Sequence, residues 1–397
     1  MQVGLRGPAL AAWARSELAA LLSPRRLDAA AVVLGAGSDD LESGRRFLGL
    51  LAEGGWAVPT WPVEHGGMGL SSADGDVVAG VLDDFDTPDM YPFLVGLSLI
   101  GPTILAHGTE EQKGRWLPSM RSGEHIWCQM FSEPDAGSDL ANLKTRAERD
   151  GDRWRVSGSK VWTSRAHYSR FGMLLARTDP SLPKHAGITA FCIDMATPGV
   201  SVRPLIQMNG DSHFNEVFLD GVAVPDSDRL GPVNDGWRVG LTTLSLERGS
   251  LAGDLGISME SIRRLAKAAD VNNHPVARDR LMRSVVDLKI TQWSTARAQA
   301  ERAAGKAPGP EGSLAKLRTN RMIKAISTLA VDLAGPAATV NASPPDEWMT
   351  MWLASPSLSI RGGTDEIQHN IIGERLLGLP PEPRVDKGKP FSERPDR

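Results

Sequence analysis

The sequence predicts an α+β protein of three modules, helical at both ends and β-rich in the middle, and three observations carry that reading. Apolar residues recur at helical spacing from residue 1 to about 127, short β-type runs fill about 128–226, and helical spacing returns from Gly236 onward. A chain of 397 residues with 41% hydrophobic content can bury two or three cores.

The first module, 1–127, shows the helical period at Leu18, Leu21 and Leu22 and again at Leu94, Leu97, Leu99 and Ile100, interrupted by the glycine-rich EHGGMG. The second, 128–226, contains RWRVSG, FGMLLAR, ITAFCID, GVSVRPL and NEVFLDGVAV, each closed by Gly, Pro, Asp or Asn. The third, 227–379, carries a long helical pattern in Leu314, Leu317, Ile323, Ile326, Leu329 and Leu333, with Ser313 as the expected N-cap and Gly335-Pro336 as the stop. GKAPGPEG at 305–312 reads as a connection between helices, and 380–397 as a Pro-rich charged tail; neither is expected to carry chemistry.

Composition narrows the function. Forty-four Lys plus Arg against 48 Asp plus Glu leave a net charge of -4, without the basic excess that draws nucleic acid or acidic lipid. No run approaches the ~20 apolar residues of a membrane span, and Arg6, Pro8, Arg15 and Glu17 interrupt any signal-type apolar core, so a cytoplasmic protein is expected. Cys128 and Cys192 read as small buried residues, with neither a disulfide framework nor a metal site implied. AAAVVLGAGSDD offers only Gly35 and Gly37 where a dinucleotide-binding turn needs three glycines, and helical patterns surround it.

The most informative string is CQMFSEPDAGSDLANLKTRAERDGDRWRVSGSKVWTSRA at 128–166. Ser132, Ser138, Thr163 and Ser164 cluster with glycines at strand ends and offer donors to a planar heteroaromatic ring, on which Trp162 can stack. The string resembles the central signature of the acyl-CoA dehydrogenase family. WPVEHGGMGL (61–70), GTEEQKGRWLP (108–118), TPGVSVRPL (197–205), FNEVFLDGVAVP (214–225), LERG (246–249) and GGTDEIQHNIIGERLLGLP (362–380) follow in that family's order, so the resemblance spans roughly 55–380.

The resemblance implies an α-helical domain, a β-barrel-like middle and a C-terminal four-helix bundle, with FAD between the last two. Carried over by position, Gln129, Phe131 and Ser132 line the flavin, Trp162 and Ser164 lie against its ring, and Ser138 lies near the flavin or the pantetheine arm. Thr364 and Glu366 reach the ribityl or diphosphate; Thr364 follows two glycines and precedes an apolar-periodic run, where an N-cap meets phosphate. Glu133 and Asp139 shape the loop.

Dehydrogenation of an acyl thioester needs a carboxylate to take the α proton. Many family members place it directly before the Gly-Thr of the C-terminal loop, but that position is Gly362 here. A second family arrangement supplies it from a Leu-Glu-Arg helix, which points to Glu247 in SLERGSLAGDLG, with Arg248 beside it toward the substrate and Gly249, Gly253 and Gly256 allowing close approach. Glu366, in a first helical turn, suits a dipole or cofactor contact better.

Two segments depart from the family. VNNHPVARDRLMRSVVDL (271–288) lacks the Arg-x-x-Phe-Gly that reaches a neighbour's FAD, leaving Arg278 or Arg280 as substitutes, and LAGPAATV (333–340) replaces the usual glycine-rich adenosine cup. The expected partners are an acyl-CoA substrate, of branched or bulky acyl type, and an electron-transferring flavoprotein, in a homo-oligomer or heteromer. A non-catalytic subunit of a heteromeric dehydrogenase and a flavin-dependent oxygenase are the alternatives; a usable Glu247 weighs against both.

Overall fold

The computed structural model describes residues 4–25, 39–250, 257–268, 270–304, 309–340, 347–383 and 386–393. Gly35, Gly37, Gly253, Gly256 and the first half of GKAPGPEG (305–308) lie outside the described residues.

The helical first module comprises α1 (Gly7–Ala19), α2 (Leu41–Ala52), α3 (Ser72–Leu82), α4 (Tyr91–Leu94), α5 (Gly101–His107) and α6 (Glu110–Arg121). A capping box starts α6: Gln112 N donates to the Thr109 hydroxyl at 3.2 Å, while Thr109 N donates to the Gln112 side chain at 3.0 Å. The same Gln112 amide then donates to Ser227 O (2.7 Å) and Arg229 O (2.8 Å), fastening the helix to the middle module. Between α4 and α5 the chain forms a π-helical turn, Val95–Ile100. Gly101 N donates to Gly96 O, five residues back, and Pro102 has no N–H with which to resume the α pattern at the next residue. Gly101 also lies flush against buried Trp61, whose ring a Cβ would meet at 2.2 Å.

The middle module is one eight-stranded sheet: β1 (Trp127–Met130), β2 (Arg146–Asp150), β3 (Arg153–Ser164), β4 (Phe171–Arg177), β5 (Ile188–Asp194), β6 (Val200–Leu205), β7 (Phe214–Pro225) and β8 (Arg229–Leu230). The order is β6-β7-β3-β2-β4-β5-β8, with β1 paired to β4. The five sequence-predicted runs are β3 to β7. Along β4 the parity alternates between two cores: Met173 and Leu175 join Trp116, Trp127 and Val239, whereas Leu174 and Ala176 join Trp154, Val156, Val217 and Val224. Strands far apart in the ladder therefore share one interior, the barrel-like curl expected of this module.

The last module holds α7 (Gly236–Ser250), α8 (Met259–Ala268), α9 (Pro275–Ala303), α10 (Glu311–Ala334), α11 (Glu347–Ala354) and α12 (Asp365–Ile371). Leu281, Leu288, Met322, Ile323, Ile326, Leu329, Trp348 and Met351 form its core. Ser313 is not the N-cap: α10 starts at Glu311 after Pro310, and Ser313 is buried inside its first turn, its N–H already donating to Pro310 O at 3.0 Å. Gly335, at φ 56, ends the helix as its sequence position predicts. Among the described residues no helix is long and apolar enough to cross a membrane.

Candidate functional site

The loop that follows β1 is held by a buried lysine. Lys160, fully buried on β3, donates to Phe131 O (3.1 Å), Glu133 Oε1 (2.8 Å) and Leu175 O (2.8 Å). Glu133, 7% exposed, also accepts from Lys144 N (2.6 Å) and Thr145 N (2.9 Å). Burial alone pushes the Glu133 carboxyl up, but the Lys160 ammonium and these donors outweigh it and hold the group below the ordinary carboxylate range. Glu133 is thus a structural anchor, and Lys160, which sequence reasoning passed over, is its partner. The signal was present: Lys160 has the same inward parity as Trp154 and Val156 on its strand.

The anchored loop lies beside the strand end carrying Trp162 and Ser164. Val161 N donates to Ser132 O at 2.9 Å. Between Lys160 and Thr163 the register of β3 against β7 slips, so β3 carries one extra residue. Trp162 occupies this bulge at φ 60 with its ring 61% exposed and edge-on to Phe214 at 6.0 Å. A left-handed tryptophan turned outward from a sheet is strained and apolar at once, the combination found where a backbone is shaped around a ligand. The side chains of Gln129, Ser132, Ser138 and Ser164 take no hydrogen bond from another described residue. An exposed indole, with uncommitted amide and hydroxyl groups on the same strand end and on the neighbouring loop and strand, has the chemistry that suits a flat, polar-edged heteroaromatic ring. Phe131 is buried beneath, and Ser138 is exposed at the loop's outer end.

One further arginine ties this edge to the first module. Arg165, at φ 55 and buried, donates to Asp39 Oδ1 at 2.7 Å, and its guanidinium lies 4.3 Å from the centre of the Tyr91 ring. Tyr168 donates to the same Asp39 oxygen at 2.9 Å.

The second half of the site rests on α7. Thr243 shares a 2.9 Å hydrogen bond with Thr103 of α5 and donates to Met173 Sδ at 3.7 Å, while Thr242 meets His107 Nε2 at 2.8 Å. Met173 is the register partner of Gln129, so this face of α7 looks onto the β1–β4 edge. Glu247 stands one turn beyond Thr243 on the same face and is half-buried.

Lys316 of α10 braces the glycine loop. Its ammonium donates to Arg361 O at 2.7 Å and to Gly363 O, and it feels the Glu247 charge. Burial lowers the Lys316 pKa, an effect that Asp365 and Glu247 partly offset. Gly362 (φ 62) and Gly363 (φ 87) form a left-handed pair that needs glycine. Lys316 therefore binds the loop bearing Gly362 directly and feels the charge of Glu247, although 115 residues separate Glu247 from Gly362 in the chain. No sequence signal marked Lys316.

Thr364 caps α12 as expected, accepting from Ile367 N at 3.3 Å. Asp365 is committed to Asn320 (2.9 Å) and Ser359 (2.5 Å), which fixes the cap against α10. Exposed Glu366 is held below its ordinary pKa by its own N–H and by Thr364, a poor condition for a base. The side chain of Arg248 lies outside the described part of the structure. Arg280 pairs with Asp332 of α10 at 2.8 Å, and LAGPAATV folds as a short 3-10 turn over Gly335–Thr339. Among the described residues no hydrogen bond or ring contact links the Thr364 cap to the Trp162 edge.

Comparison with known proteins matches the three modules in order: the acyl-CoA dehydrogenase N-terminal domain over residues 33–124, the middle domain over 128–222 and the C-terminal domain over 234–377. The chain belongs to the acyl-CoA dehydrogenase family. Membership makes it an oxidoreductase and implies a flavin cofactor. It is 40% identical over 350 residues, 86% of this chain and 89% of the relative, to acyl-CoA dehydrogenase IpdE1 of Mycobacterium tuberculosis. Two solved structures superpose over 96% of it and 100% of their own chains, each 28% identical: a Tcur3481-Tcur3483 steroid ACAD at a TM-score of 0.79, and the ChsE4-ChsE5 complex from M. tuberculosis at 0.74.

Proposed function

We propose that this acyl-CoA dehydrogenase removes two hydrogens from the α and β carbons of an acyl-CoA thioester to give the trans-2-enoyl thioester, with FAD as cofactor and Glu247 as base. Electrons then leave to an electron-transferring flavoprotein. The observation that supports Glu247 is its place, half-buried and one turn beyond Thr243 on the face of α7 that packs by Met173, the register partner of Gln129, in a chain whose C-terminal loop carries Gly362 instead of a carboxylate.

Gln129, Ser132 and Ser164, whose side chains take no hydrogen bond among the described residues, would donate to the polar edge of the flavin, Phe131 and Trp162 would give it apolar surfaces and exclude water, and Thr364 with Glu366 would hold the ribityl-diphosphate chain. When bound, the flavin supplies the hydride acceptor. Glu247 takes the α proton onto its carboxylate, while Ser138 and Arg248 hold the thioester arm. Uncommitted donors suit this work because they need no internal bond broken before they engage the ligand.

The solved relative described as a steroid ACAD supports a bulky, ring-bearing acyl group. The test is an anaerobic titration of the flavin-loaded protein with short, long, branched and ring-bearing acyl-CoAs. Bleaching, strongest with the ring-bearing thioester, is expected; a flavin that no acyl-CoA bleaches contradicts the proposal.

A second reading makes this chain one half of a heteromeric dehydrogenase. Met282, Val286 and Trp293 form an exposed apolar stripe on one face of α9, the helix in which Arg-x-x-Phe-Gly is missing, and one superposed relative is itself a complex. Yellow, active protein obtained from this chain alone eliminates that reading.

A further inference from the structure

The C-terminal tail does more than end the chain. Residues 386–393 lie along the ten-residue connection Thr178–Gly187 between β4 and β5. Phe391 N donates to Leu182 O at 2.9 Å and Ser392 N to Pro180 O at 3.0 Å, and Pro390 bridges Pro183 in antiparallel register. The tail thus docks on this loop through one β-bridge and two backbone hydrogen bonds, its last described residues, Phe391–Glu393, forming a 3-10 turn.

Two side chains carry this docking to the flavin loop. Lys184, only 15% exposed, pairs at 2.9 Å with Asp386 of the tail and at 2.9 Å with Asp139, the residue after Ser138. Arg177 is buried, with the Phe391 ring 4.0 Å from its guanidinium carbon. Its nitrogens donate to Lys184 O (2.6 Å), Ala141 O (2.6 Å) and Leu143 O (3.4 Å). Asp139 and Ala141 thereby rest on two cations that the tail covers. Phe391 shields the Arg177 fork from water, which strengthens all three of its hydrogen bonds, and Asp386 supplies half the anionic charge that orients Lys184.

We infer that residues 386–393 are a strap that positions Ser138 and Asp139 through Lys184 and Arg177, and so sets how tightly the thioester arm is held. The inference rests on the proposed function in assigning that arm to Ser138. It makes Asp386 and Phe391 positioning residues, remote from the reacting carbons.

The test is the full-length, flavin-loaded chain with the double substitution Asp386→Ala/Phe391→Ala. KM for the acyl-CoA is expected to rise about tenfold with kcat at saturation unchanged, the signature of lost binding common to ground and transition state. Phe391→Tyr paired with the native Asp386 should restore the native KM, because an aromatic ring again covers Arg177. Amide hydrogen exchange over 137–143 and 178–187 should speed up in the double variant and return to native in the rescue. An unchanged KM with unchanged exchange overturns the strap, as does a fall in kcat alone. If the unsubstituted chain turns over no thioester, the proposed function has failed, and hydrogen exchange alone then decides the strap: unchanged protection of 137–143 overturns it.

Discussion

Replacing Lys160 by methionine keeps most of the side-chain volume and removes only the ammonium, which isolates the electrostatic knot beneath the flavin loop. The change leaves Glu133 at 7% exposure with two backbone donors and no counter-charge, and strips Phe131 O and Leu175 O of a donor. Removing one partner of a buried ion pair typically costs about 3–5 kcal/mol, and the extra carbonyls favour the middle of that range or above, about 4 kcal/mol. At about 2.1 cal/mol/K per residue, 397 residues give an unfolding entropy of about 0.8 kcal/mol/K, hence a Tm about 5 °C lower if the chain melts as one unit. Scanning calorimetry reads the shift, and flavin content should drop with it because Phe131 O is what Lys160 holds. The reasoning also predicts that Glu133→Gln/Lys160→Met is less destabilised than Lys160→Met, since the stranded charge is gone. A Tm within 1 °C of native (a bound set well inside the ~5 °C estimate), or a double variant as unstable as the single one plus a further loss, refutes it.

Acid should act on the same pair. The Glu133 carboxyl lies below its ordinary value of 4.5, so its contribution is complete above that pH and is lost as pH falls through the lower folded-state value; Glu133→Gln should flatten that limb of an acid-unfolding curve followed by circular dichroism. Trp162→Ala should leave the apoprotein's stability within about 0.5 kcal/mol, since the ring is exposed, yet weaken FAD about tenfold in a fluorescence titration. Trp162→Gly should be more stable than Trp162→Ala by about 1 kcal/mol in denaturant melts, because glycine relaxes the φ of 60.

What the sequence revealed follows from how each feature is written in it. Strands β4, β5 and β7 were legible because apolar residues dominate them, and β3 and β6 because Trp154 with Val156 and Val200 with Val202 alternate with polar neighbours, whereas β2, RAERD, buries only Ala147 and carries four charges, so no alternation could show. The helical period around Leu97 and Ile100 was read correctly as helix, but its π turn depends on Pro102 withholding one donor, which periodicity does not register. Ser313 looked like a cap because serine precedes an apolar run; the bundle core instead buries it and the helix begins at Glu311. At the site, motif order pointed to Ser132 and to the Trp162–Ser164 strand end, which the Val161 N–Ser132 O hydrogen bond brings side by side, and separately to Thr364, which caps α12. Lys316, Lys184 and Arg177 stayed hidden because each acts on backbone carbonyls or carboxylates distant in sequence, contacts that only the folded chain creates.

The central claim is that Glu247 does the work for which Gly362 has no side chain. Glu247→Gln keeps the shape and removes the basicity, so the flavin-loaded variant, mixed anaerobically with the best acyl-CoA of the panel in a stopped-flow spectrometer, should keep its flavin and bind the thioester. Its bleaching should slow by about a hundredfold to ten-thousandfold, the usual contribution of a general base. Bleaching at the native rate in this variant contradicts the assignment and moves the base elsewhere in the site.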